Sequence, residues 1–243
     1  MKIAITGGSR GIGKMLAEHL KEKNEIVIIS KNQESLKNTA KKLEIKGYCA
    51  DVTNYKDIKQ IFEKIEPFDI LINCAGILGP VGFLLDNDGD LWEQTIKINL
   101  IGTVNCCKAS IPFLSENGKI INFSGGGSAF PRIYHTAYAC SKAAVVRFTE
   151  VFAKELEDKN SGIKVNVIAP GRHKTYLLGN EAYERSAELA DPKDLFSLID
   201  TLIENDTLNG KFIHIKDDKK KLSQALVKIC LPFEGLMTLN LRK

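Results

Sequence analysis

Strand-like and helix-like stretches alternate along almost the whole chain, and that order limits the folds open to it. Residues 2–6 are a short apolar run ahead of a cluster of glycines. Ile12, Met15, Leu16 and Leu20 then recur at helical spacing. Residues 25–30 carry Ile26-Val27-Ile28-Ile29, a buried strand, and 33–43 read as a polar amphipathic helix. The pattern continues with a strand over 47–52, a helix over 55–65, a strand over 69–74 and a long helical region over 90–114. A strand over 119–124, a helix over 136–157, a strand over 164–169, a helix over 192–204 and a strand over 211–215 complete it. Such alternation implies a parallel sheet with helices on both faces. The strands are almost continuously apolar, as strands covered on both sides must be. With 243 residues, 44% of them apolar, the chain can bury one sizeable core. Without repeats, low-complexity tracts or a linker, residues 1–243 are expected to form a single domain.

Composition removes several classes of function. The net charge of +4 is spread along the chain, and the densest basic run, Lys219-Lys220-Lys221, adjoins Asp217 and Asp218. A nucleic-acid-binding face concentrates more charge than this. No stretch approaches the roughly 20 apolar residues of a membrane span. The start of the chain runs from strand into glycine with no apolar leader, so a cytoplasmic protein is expected. Cys49, Cys74, Cys106, Cys107, Cys140 and Cys230 form no CxxC pair. They read as reduced, small core residues, and no metal site is expected.

The glycines of "TGGSRGIG" join the first strand to a helix. Glycine there permits a tight turn and close approach of another surface, while a helix start offers free N–H groups and partial positive charge. A pyrophosphate suits that environment; a turn made only for packing is the competing reading. The spacing, Gly7-x3-Gly11-x-Gly13, is not GxGxxG.

Taken with five later motifs, the loop resembles the TGxxxGxG fingerprint of the short-chain dehydrogenase/reductase family. Asp51-Val52 resembles the adenine-contacting pair after the third strand. "NCAG", Asn73 to Gly76, resembles NNAG with Cys74 in place of the second asparagine. "IKINLIGT" puts Asn99 at the family's helix asparagine, "YACSK" gives the Tyr138/Lys142 pair, and "VNVIAPGRHKT" resembles NxxxPGxxxT. The resemblance spans residues 3–175 and implies a Rossmann-like, doubly wound parallel sheet of about seven strands. It implies a nicotinamide dinucleotide held by Gly7, Ser9, Arg10, Gly11, Ile12, Gly13, Ser30, Asp51, Val52, Asn73, Ala75 and Gly76. Pro170, Gly171 and Thr175 would line the nicotinamide, with the threonine on its carboxamide.

An acidic residue ending the second strand binds the ribose 2′-hydroxyl in dinucleotide folds. Here the strand ends in Ser30-Lys31-Asn32, without a carboxylate. Lys31 would attract a 2′-phosphate, and Arg10 can close on it from the glycine loop. NADP(H) is therefore expected before NAD(H); solvated surface charges are the alternative for both residues.

Tyr138 and Lys142 lie four apart in a helix and so share a face. A free phenol has a pKa near 10, and a neighbouring ammonium stabilises the phenolate. The pair suits proton donation to a carbonyl oxygen while hydride reaches the carbon. In the family the lysine also holds the nicotinamide ribose, and Asn99 is implied to fix a water linking Lys142 to solvent. The family's catalytic serine, the second of a serine pair, falls on Gly125 in "NFSGGGSAF". Ser124 is the first candidate for its role, with Ser128 or the backbone N–H groups of Gly125, Gly126 and Gly127 as alternatives.

The expected function is an NADP(H)-dependent oxidoreductase interconverting a carbonyl and a secondary alcohol. The alternative is a cofactor-binding regulator or scaffold with little turnover. A 3-oxoacyl thioester and a sugar or glycan precursor are both open as substrates. Arg172, His173 and Lys174 could attract an anionic one, or be solvated loop charges, or contact the cofactor diphosphate; Arg132 and His135 could reach the same pocket. Residues 175–190 form the variable substrate loop, and 217–243 an atypical, partly apolar tail expected to pack on its own domain or a partner subunit. Apolar residues on more than one face of the Tyr138 helix, with the resemblance, imply a homodimer or homotetramer.

Overall fold

The structure, a computed structural model, describes residues 1–175 and 189–217. Seven strands form one sheet: β1 (Lys2–Thr6), β2 (Glu25–Ser30), β3 (Lys46–Cys49), β4 (Phe68–Asn73), β5 (Leu114–Phe123), β6 (Lys164–Ala169) and β7 (Phe212–His214). Their order is β3-β2-β1-β4-β5-β6-β7, and every pairing is parallel. The chain winds outward from β1 to β3, then crosses back to β4 on the other side of β1. The connections after β1 and β4 therefore leave in opposite directions, opening a crevice at their carboxyl ends where ligands bind in such sheets.

Strand side chains alternate between two covered faces, which explains the near-continuous apolar runs. Ile3 and Ile5 of β1 pack with Leu16 and Leu20 of α1 (Gly11–Leu20) and Leu195 and Leu202 of α7 (Pro192–Glu204). Ala4 and Leu71 face the other way, toward Ile58 and Phe62 of α3 (Tyr55–Ile65) and Cys106 of α5 (Gly102–Ser110). The helix α2 (Gln33–Leu43) starts with the side chain of Asn32 accepting from the Ser35 N–H, and buries Leu36 and Leu43.

Several expected elements differ from those observed. The helix expected over 90–114 is divided into α4 (Gly89–Ile96), a π turn (Lys97–Ile101), α5 and a 3₁₀ turn (Ile111–Phe113). Pro112, which lacks an N–H and restricts its neighbours, stands where the helix ends. The third strand stops at Cys49, not 52, because the Asp51 carboxylate turns the chain by accepting from the Thr53 N–H at 2.9 Å. The fifth strand begins at Leu114, which pairs with Phe68 ahead of a register shift. Among the described residues Cys106 and Cys107 are buried as small core residues, Cys49 and Cys140 are exposed and Cys74 is half-buried; Cys230 lies outside the described residues. The helix α6 (Thr136–Asp158) buries one stripe, including Tyr138, Lys142, Val145, Thr149 and Ala153, and leaves Val151 exposed. Most of the expected substrate loop (176–188) and nearly all of the expected tail (218–243) lie outside the described residues.

Candidate functional site

The glycine loop is shaped by backbone contact. Gly7 adopts φ +68°, and a Cβ there would sit 2.8 Å from the backbone of Ala75. A Cβ on Gly13 would sit 2.5 Å from the Gly7 carbonyl oxygen. Glycine at position 7 lets the loop approach the chain after β4, and glycine at position 13 brings α1 against the loop at the end of β1. The loop is held from behind by Thr39, whose hydroxyl donates to the Ser9 carbonyl at 2.8 Å. Arg10 precedes α1 in extended conformation, and no side chain caps the helix start. Those N–H groups face a cleft of about 350 Å³ lined by Gly7, Arg10, Gly11, Ile12, Gly13, Ser30, Lys31, Asp51, Val52, Ala75, Gly76 and Thr175. A narrow cradle without side chains, followed by a cleft with cations at one end, fits a dinucleotide.

Two expected contacts sit differently. Ser9 lies behind the cleft wall, its hydroxyl 2.8 Å from that of Ser30 and 3.1 Å from that of Ser35. Asn73 is buried, donating to Asn122 Oδ1 at 2.9 Å and to Cys107 Sγ at 3.4 Å. Asn122 in turn donates to the Thr149 hydroxyl at 2.9 Å, so an amide chain links β4, β5 and α6 beneath the site. The Lys31 ammonium is 2.8 Å from the Asp51 carboxylate. Burial pushes the Asp51 carboxyl up, but hydrogen bonds from Lys31 and Thr53 outweigh that and hold it below the usual range.

A second cleft, about 410 Å³, shares Ile12, Cys74, Gly76, Leu78 and Thr175 with the first. Tyr138, Lys142, Ser124, Pro170 and Gly171 also line it, as do Arg132, Arg172, His173 and His214. No aspartate or glutamate is among its described lining residues. Lys142 is 5% exposed, and its ammonium donates to the Phe123 carbonyl at 2.9 Å. Burial pushes its pKa down to about 8, against a small opposing effect of Cys74. The ammonium lies 5.8 Å from the Tyr138 ring centre, and the Arg132 guanidinium lies over the same ring at 5.4 Å.

Asn99 sits in the π turn and is fully buried. Its side chain accepts from the Ile77 N–H at 2.8 Å and donates to the Ile77 carbonyl at 2.9 Å and the Ser141 hydroxyl at 3.0 Å. It thereby clasps the chain after β4 to the helix that carries Tyr138 and Lys142. The Ser124 hydroxyl donates to the Lys142 carbonyl at 3.2 Å, and the Ser128 hydroxyl to the Gly125 carbonyl at 2.7 Å. His173 is buried, with its Nε2–H donating to the Pro170 carbonyl at 2.8 Å. Burial holds its pKa below the usual histidine value, so the imidazole is neutral near pH 7. Its Nδ1 finds no partner among the described residues.

Sequence reasoning passed over Thr39, Ser35, Ser141 and the Asn122 network. Only position would have pointed to the last: Asn122 is an amide inside an apolar strand, which burial leaves in need of partners.

The short chain dehydrogenase family model matches residues 1–186. The 2,3-dihydro-2,3-dihydroxybenzoate dehydrogenase of Bacillus subtilis (strain 168) is 33% identical over 187 residues, covering 72% of this chain and 70% of that protein. A 3-oxoacyl-[acyl-carrier-protein] reductase of Thermotoga maritima is 35% identical over 179 residues, 69% of this chain and 72% of that one. Among solved structures, a putative short chain dehydrogenase from Escherichia coli CFT073, complexed with NADPH, superposes with a TM-score of 0.81. It is 23% identical, and the match covers 89% of this chain and 96% of that one.

Proposed function

The chain belongs to the short-chain dehydrogenase family of oxidoreductases, and from that premise we propose that it interconverts a carbonyl and a secondary alcohol using NADP(H). The junction of the two clefts carries the reading. One cleft holds the phosphate cradle and the other holds Tyr138 and Lys142, and they share a wall at Cys74, Gly76 and Thr175. A dinucleotide lying along the first would present its nicotinamide to the second. The NADPH-bound relative in fold agrees with that choice of cofactor.

When bound, the cofactor supplies or accepts the hydride. The chain's own part is to place and move the proton. Tyr138 gives its phenolic proton to the substrate oxygen in reduction and withdraws it in oxidation. The Lys142 ammonium, fixed on the Phe123 carbonyl, favours the phenolate that remains. Asn99 holds the loop after β4 against α6, and so fixes the distance between cofactor wall and proton donor. Arg10 and Lys31 receive the 2′-phosphate, which competes with Asp51 for the Lys31 ammonium.

Fluorescence titration with NADPH and NADH tests the cofactor. NADPH should bind at least about tenfold more tightly, and Arg10→Ala with Lys31→Ala should erase the difference. A panel of 3-oxoacyl thioesters, keto sugars and small ketones tests the reaction, the first class suggested by the Thermotoga relative's name. Tyr138→Phe should lower kcat by about 100-fold or more while sparing NADPH affinity. Gly125, where the family has a serine, keeps a second reading in view, a cofactor-binding regulator; tight NADPH binding without turnover of any panel member would favour it.

A further inference from the structure

The serine of the family pattern has no side chain here, and the structure shows what occupies its place. A Cβ built on Gly125 would collide with the Tyr138 hydroxyl and lie 3.0 Å from ring atoms Cε1 and Cζ. The Gly125 backbone is not in the left-handed region, so conformation alone would admit any residue. A side chain here would have to displace the phenol. At Gly126 a Cβ would meet nothing within 4 Å, and at Gly127 it would meet Ala139 of α6 at 2.8 Å, so of the three glycines only Gly125 has the phenol against it. The two neighbouring hydroxyls are already directed elsewhere, Ser124 to the Lys142 carbonyl and Ser128 to the Gly125 carbonyl.

We propose that Gly125 is the positioning residue for Tyr138. The missing side chain seats the phenol against the backbone at the end of β5, with the Lys142 and Arg132 cations 5.8 and 5.4 Å from the ring centre, and the proton donor works from that seat without a serine hydroxyl. This rests on the reading of Tyr138 as acid/base and deepens it. The charged and titratable groups around the phenol come from several sides of the cleft. Lys142 lies on α6, Arg132 on the segment before it, Arg172 and His173 after β6, and His214 in β7; Cys74, after β4, adds a thiol that burial keeps neutral. The Lys142 and Arg132 cations beside the ring favour phenolate, the charge a serine hydroxyl would otherwise help to steady.

Restoring the family residue should therefore impair the site. Gly125→Ala and Gly125→Ser are expected to lower kcat about 100-fold, with NADPH affinity within about twofold of wild type as the check on folding. A double-mutant cycle separates seating from general damage. Gly125→Ala should lower the Tm by about 5 °C in the wild type, and by less than half of that in a Tyr138→Phe background. Tyrosinate absorbance, read as the difference from Tyr138→Phe, should titrate higher by about half a pH unit or more in Arg132→Gln. Equal Tm losses in both backgrounds, an unmoved Arg132→Gln titration, or a Gly125→Ser enzyme as fast as wild type would overturn the proposal. The cycle and the titration need no substrate. Absence of turnover by the wild type would instead overturn the oxidoreductase reading.

Discussion

Lys142 shows what the candidate site costs the fold. Its ammonium is buried, one hydrogen bond to the Phe123 carbonyl is its described anchor, and its pKa has fallen to about 8. A lysine whose folded pKa is depressed weakens the fold while it is charged, below the folded pKa. That cost fades as pH rises from the folded value toward the unfolded one. Lys142→Met should therefore stabilise the cofactor-free protein by about 2 kcal/mol below pH 8, after allowing for the orphaned carbonyl. In Tm that is about 4–8 °C, shrinking toward pH 10, with activity lost. Calorimetry across that range checks it; a variant less stable than wild type at pH 7 would refute the argument. At this scale the sequence was most informative where chemistry is local. The tyrosine–lysine spacing on one helix was legible, as was Lys31 at a strand end. The direction of the Ser124 hydroxyl was not, because its acceptor is eighteen residues away on another element.

The π turn is the element that most affects the site. Its extra residue places Asn99 where the side chain reaches both edges of Ile77 and the Ser141 hydroxyl. Its own carbonyl accepts from Thr103 at 2.8 Å. Such bulges tend to occur at functional sites. Asn99→Ala would leave buried partners unmatched on two elements and should cost about 2–4 kcal/mol. Asn99→Asp should cost no less, since a buried carboxylate cannot donate to the Ile77 carbonyl or to Ser141. Urea denaturation of both variants measures this, and a loss below 1 kcal/mol for the alanine would refute the clasp. The apolar pattern over 90–114 reads as one helix because periodicity records which face is buried. It does not record a turn widened to serve a contact with a distant loop. Most strand identities were clear for the opposite reason: an apolar run is the local signature of burial on both faces, which only β3, at the sheet edge with Lys46, Gly47 and Cys49 exposed, lacks among the described strands.

At the scale of the whole molecule, the described surface leaves Leu91 of α4, Ile101 of the π turn and Val151 of α6 exposed, on helices that pack beside one another. Val151 is 49% exposed beside the Arg147–Glu150 ion pair. We propose that a homodimer or homotetramer contact covers Val151. Val151→Glu should lower the mass seen by light scattering to that of the monomer. Because an exposed substitution changes monomer stability by only about 0.5 kcal/mol, folding itself should survive. An unchanged mass would exclude this face from the assembly. Among the described residues no helix is long and apolar enough to cross a membrane. The parallel sheet and its two helical layers follow from alternation and from right-handed crossovers, which is why the architecture was legible from the chain, while the strand order is supplied by the structure. The assembly was not, since exposed apolar side chains do not name their partner.

The amide chain from Asn73 through Asn122 to Thr149 has a consequence for engineering. It divides the pocket into a floor that must be inherited whole and a rim open to revision. The floor is built from paired buried groups, each of which requires the others, so random changes there should mostly yield insoluble protein. The rim carries Leu78, Gly126, Pro131 and Arg172, on segments outside the sheet. A selection for new substrates would do best to concentrate its diversity on those positions and leave the three-residue relay untouched.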